Sequence, residues 1–111
     1  MSKLKSYIAG TTIAQEGETA RKLFFLVEGK IGIFKGETKI TEFDKEGTIV
    51  GEMSLILKQP RTASIKAITN VQVLEVEGTI EEIVKLYPDI SRKIIKSLAE
   101  RLAKATEDFH H

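Results

Sequence analysis

The sequence predicts a mainly β fold, a sandwich or barrel, closed by two C-terminal helices. Three observations predict it. Glycines at 10, 17, 29, 32, 36, 47 and 51 punctuate short β-prone runs, and strands recurring every 8–12 residues or so are the mark of all-β domains. At Gly78 the apolar period changes to that of helices. Finally, 111 residues with 41% hydrophobic and 30% charged side chains fit one small soluble domain around a continuous core.

The elements follow in order. Residues 22–28 (Lys-Leu-Phe-Phe-Leu-Val-Glu) read as a strand buried on both faces, and residues 30–34 after Gly29 read as its hairpin partner. Residues 38–43 alternate weakly. Residues 48–50 are strand-like, and 65–67 and 71–76 alternate well around a Thr69-Asn70 turn. Thr79-Ile80-Glu81-Glu82 is a capping box that opens a short helix, which Pro88 ends. Asp89 is expected to cap a longer helix, with Ile90, Ile94, Leu98, Leu102 and Ala105 on one stripe and Ile95 widening it.

Composition narrows the function. The chain has 17 basic and 16 acidic residues, so bulk charge gives no case for nucleic acid. It has no cysteine, hence no disulfide framework, which fits the cytoplasm. Both histidines are the last two residues, where a purification tag would leave them. Residues 1–109 therefore offer no imidazole as base or metal ligand, and no glycine-rich nucleotide-triphosphate or dinucleotide motif occurs. The longest apolar run, residues 23–27, is far too short to span a membrane. A non-enzymatic role is expected. A metal-dependent jelly-roll enzyme would need clustered histidines on its strands.

Residues 51–64 carry the chemistry. Gly51 permits close backbone approach, and a short helical turn after it presents unpaired N–H groups suited to an anion. Arg61 adds a permanent planar donor fork for phosphate, and Glu52 an acceptor for a sugar hydroxyl. Together they match a phosphorylated sugar. The alternative is that Glu52 and Arg61 pair with each other in an empty pocket, at a desolvation cost of several kcal/mol per ion.

This segment resembles the phosphate-binding cassette of cyclic-nucleotide-binding domains, found in the catabolite activator protein and in kinase regulatory subunits. That family reads Gly-Glu-x-[Ala/Ser]-Leu, a short loop, then Pro-Arg-x-Ala-[Ser/Thr], and Gly51, Glu52, Ser54, Leu55, Pro60, Arg61, Ala63 and Ser64 fall in register. Upstream, residues 10–18 and 23–29 resemble the family's opening stretch and central strand. The chain departs from the pattern at Val50, where Phe is usual, and in having only six residues before Tyr7.

The resemblance implies a jelly-roll β-roll, or double-stranded β-helix, over residues 1–78, with hinge and lid helices over 79–111 in a single domain. It implies that Glu52 accepts from the ribose 2′-hydroxyl and that Arg61 pairs with the exocyclic phosphate oxygens. Backbone N–H groups around Met53, Ser54 and Ala63 would complete the cradle, and Thr62 would contact base or phosphate. The resemblance further implies cAMP or cGMP as the ligand, no other cofactor, and C-terminal helices that move when it binds. A jelly-roll interaction domain that has lost nucleotide binding, or the sensor part of a transcription regulator, is the alternative.

The partner expectations are narrower. The stripe of the last helix (residues 90–106) suits a homodimer, whereas its Arg92, Lys93, Lys96, Arg101 and Lys104 read as a solvated face. Phe109 is a minor candidate for stacking on a base. No helix-turn-helix or membrane segment is recognisable in the sequence.

Overall fold

A computed structural model describes the backbone of residues 2–109 and the side chains of residues 2–104. Two four-stranded antiparallel sheets face each other. The first is ordered β1 (Ser2–Tyr7), β8 (Val71–Glu77), β3 (Lys22–Glu28), β6 (Ile49–Val50). The second is ordered β2 (Thr12–Ala14), β7 (Ser64–Ala67), β4 (Ile31–Lys35), β5 (Thr38–Phe43). The helix α1 (Glu52–Leu57) lies between β6 and β7, and α2 (Ile80–Leu86) and α3 (Pro88–Phe109) follow β8. This is the jelly-roll arrangement with two C-terminal helices.

β3 is buried on both faces, as its unbroken apolar run requires, because it serves two cores. Phe24 and Leu26 point between the sheets, with Ile31, Val50, Ile65, Val71 and Val73. Leu23 and Phe25 point the other way, with Ile49, Leu55, Val76, Ile83 and Ile94. Period-two alternation thus splits one strand between the barrel interior and the layer under the helices.

Residues 30–34 are not the hairpin partner of β3. β4 pairs with β5 and β7 in the second sheet, and β3 pairs with β8 and β6 in the first. Gly29, at φ 92°, turns the chain from one sheet to the other. The Thr69–Asn70 turn crosses in the same place. There Lys30 N donates to Thr69 Oγ1 at 2.9 Å and Ile68 N donates to the Lys30 carbonyl at 2.8 Å. A Cβ on Gly29 would lie 2.3 Å from the Asn70 carbonyl oxygen, so no other residue fits there.

Two helical details differ from the sequence reading. The Thr79–Glu82 capping box forms as expected. However, Tyr87 rather than Asp89 precedes the first turn of α3: its carbonyl accepts from Ser91 N at 3.1 Å while its own N–H closes α2 on Ile83. Pro88 is the first helical residue, where its missing N–H costs nothing, and Asp89 sits in the first turn, 3.8 Å from Arg92. Ile95 does not widen the buried stripe. It is 67% exposed, as is Leu102 at 69%, while Ile94 is buried and Ile90 and Leu98 are half-buried beside it. The side chains of Ala105, Thr106 and Phe109, and His110 and His111 entirely, lie outside the described residues. Among the described residues no helix is long and apolar enough to cross a membrane.

Candidate functional site

The β6–α1–β7 connection folds as a short helix entered from glycine. Gly51 has φ 82° and its side of α1 carries no capping side chain, so no side-chain acceptor occupies the first-turn N–H groups. A Cβ on Gly51 would sit 2.8 Å from Arg61 Nη1 and 3.2 Å from the Phe24 ring. Glycine is required here by both conformation and space.

Arg61 is held from several directions. Its backbone N–H donates to the Glu18 carbonyl at 2.9 Å, and its carbonyl accepts from Gly17 N at 2.8 Å. Close by, Ser64 Oγ accepts from Glu16 N at 2.9 Å, so the 16–18 segment straps the second half of the cassette in place. The guanidinium donates from Nη1 to the Gly51 carbonyl at 3.2 Å and from Nη2 to the Lys22 carbonyl at 2.7 Å. It also lies over the Phe24 ring, 5.5 Å from its centroid.

Arg61 is buried, yet among the described residues no carboxylate is in direct ion-pair contact with it. Burial pushes its pKa down from the ordinary arginine value, while the charges of Glu18 and Glu52 pull it back up. A guanidinium remains charged regardless. The result is a buried cation neutralised only at a distance.

Glu52 is the first residue of α1 and is 1% exposed. It does not pair with Arg61. Its Oε1 pairs with the guanidinium of Arg101 on α3, which also donates to the Ile49 carbonyl at 3.5 Å. Glu52 Oε2 is buried and has no hydrogen-bond partner among the described residues. A buried acceptor left open costs on the order of 1–3 kcal/mol.

These groups share one pocket of about 230 Å³, lined by all seven sequence-predicted residues: Gly51, Glu52, Met53, Ser54, Arg61, Thr62 and Ala63. Ile33, Thr41, Phe43, Val50 and Ile65 supply apolar or hydroxyl walls from both sheets, and Arg101 closes one side. Sequence reading missed Arg101 and the β4–β5 wall. A larger cavity of about 730 Å³ lies on the other side of α1, against Ala20, Arg21, Pro60 and Ile80. It contains neither Glu52 nor Arg61, although Ser54 lines both.

The chain is similar to several known proteins. It is 33% identical over 99 residues to the Pycsar effector protein XpPycTIR of Xanthomonas perforans, covering 86% of this chain and 32% of that protein. It is 28% identical over 104 residues to cGMP-dependent protein kinase 2 of Rattus norvegicus, covering 94% and 12%. The chain thus spans a third or less of these two curated relatives. In fold it superimposes on the Thermus thermophilus catabolite activator protein with a TM-score of 0.80 at 23% identity, over 97% of this chain and 53% of that one. Residues 4–97 match the family model described as the cyclic nucleotide-binding domain, and the chain belongs to that family.

Proposed function

We propose that this domain binds a cyclic nucleotide, cAMP or cGMP, in the Glu52–Arg61 pocket and acts as a non-catalytic regulatory module. One observation carries the reading: a buried guanidinium without a contacting anion and a buried carboxylate with an open oxygen line the same pocket. A cyclic nucleotide supplies both missing partners, an anionic phosphate for Arg61 and a ribose hydroxyl donor for Glu52 Oε2. The first-turn N–H groups at Met53 and Ser54, with that of Ala63, complete the phosphate cradle. Gly51 lets it approach, and Thr62, which lines the pocket, contacts phosphate or base.

Arg101 links the pocket to the helices. A pocket of 230 Å³ is below the range of about 300–1,000 Å³ usual for ligand sites, so the nucleotide displaces Arg101 outward. Because Arg101 is on α3, occupancy is tied to the position of that helix. The helices shift only to the extent that the ligand favours one arrangement over the other. Ile95 and Leu102, exposed one heptad apart on α3, support pairing with a second copy along residues 90–106.

Isothermal titration with cAMP and with cGMP tests the reading. At least one nucleotide should bind with a Kd of about 1 μM. The Arg61→Ala variant, while remaining folded, should bind on the order of a hundredfold more weakly, since each charge-assisted hydrogen bond is worth about 1.5–3 kcal/mol. Absence of saturable binding of either nucleotide to the folded protein would overturn the proposal.

A further inference from the structure

Beyond the pocket, where β3 lies beside β8, a buried glutamate and two partly exposed lysines form a second set of charges that binding does not use directly. Glu75 on β8 is 4% exposed. Its Oε1 lies 3.1 Å from Lys22 Nζ and 3.7 Å from Lys5 Nζ, and its Oε2 accepts from the Tyr7 hydroxyl. Burying a carboxylate is unfavourable unless its partners are fixed. Here they come from the two strands that flank β8, Tyr7 and Lys5 from β1 and Lys22 from β3.

The shared member is Lys22. It is the first residue of β3, and β6 pairs with that strand only at Phe24 and Phe25. Lys22 therefore lies beyond the end of β6, and its carbonyl is taken by Arg61 Nη2 at 2.7 Å. Glu75 thus grips the side chain of the residue whose main chain positions Arg61. Phe24, the cross-strand partner of Glu75, lies under the same guanidinium.

We propose that Glu75 is a positioning residue for phosphate recognition: through Lys22 it fixes the carbonyl that aims the Arg61 guanidinium into the pocket. The proposal rests on the reading that Arg61 grips the nucleotide phosphate. It assigns a binding role to a half-buried cluster that lies outside the cassette.

The test is a double-mutant cycle read by nucleotide titration, with melting temperature followed in parallel. Glu75→Gln, which keeps the shape and removes the charge, should weaken nucleotide binding about tenfold when Arg61 is present. In an Arg61→Lys background, where a single ammonium replaces the rigid fork whose two nitrogens span the carbonyls, the same change should cost less than about twofold, although the loss of melting temperature is similar in both. Lys22→Met should reproduce this pattern, and it carries the test alone if Glu75→Gln does not fold. Unchanged affinity in Glu75→Gln or Lys22→Met, or an equal loss in both backgrounds, overturns the proposal and leaves the cluster a purely stabilising one. Undiminished binding by Arg61→Ala would instead defeat the underlying reading, whatever Glu75 does.

Discussion

Gly51 shows how much one residue can carry. Its φ of 82° is a conformation costing other residues roughly 1–2 kcal/mol, and its missing side chain leaves the space that Arg61 Nη1 and the Phe24 ring occupy. Gly51→Ala should therefore lower unfolding free energy in urea by about 1–2 kcal/mol. It should also weaken nucleotide binding further than Ala at an ordinary turn, because the new Cβ pushes the guanidinium off its axis. Gly51, Glu52 and Arg61 were legible because they lie within fourteen consecutive residues whose types and spacing fit one ligand. Arg101 was not. It lies a whole fold away in sequence, on a helix whose other cations make it look like part of a solvated face, and only the packing of α3 against β6 brings it to Glu52.

At the scale of elements, local signals were read well and strand pairing was not. The Thr79 capping box and the Pro88 break are set by neighbours in sequence, and both ends form as the chemistry dictates. The partner of β4 is set by which sheet the chain enters after Gly29, and nothing in residues 30–34 records that choice. β1 escaped notice for a related reason. Five of its six residues are exposed, so it shows no buried alternation and takes its strand form from the ladder with β8. The half-buried stripe of α3 was legible, but its exact rotation was not, and that rotation decides that Arg101 faces the pocket. Hydrogen exchange tests whether this contact couples site and helix. Saturating cyclic nucleotide should change exchange across residues 79–104, and Arg101→Ala should reduce that change by more than half while the β-roll amides respond as before. Identical exchange with and without nucleotide would show the helices to be passive.

For the molecule as a whole, pH separates the buried charge cluster from the rest of the fold. Burial alone would raise the pKa of Glu75, but hydrogen bonds from Tyr7 and Lys22 and the charges of Lys22 and Lys5 outweigh it and hold the group below the ordinary glutamate value. The unfolded chain, with a glutamate pKa of about 4.3, thus binds this proton more readily than the folded one. Stability from the cluster is fully present above that value and is lost as pH falls through the folded-state pKa. Tyr7 responds at the other extreme. Burial, followed by its hydrogen bond to Glu75 and the nearby negative charge, raises its pKa above the ordinary tyrosine value, so its contribution is present at neutral pH and fades as the solution passes about pH 10. Urea unfolding of wild type and Glu75→Gln between pH 3 and 8 separates this term from all others. Wild type should be the more stable at pH 7, and the gap should narrow steadily once the pH drops below about 4.3. A gap that stays constant to pH 3 would mean that the Glu75 carboxylate is no easier to keep ionised in the folded protein than in the unfolded chain. Lys22 would then be held by geometry alone rather than by charge.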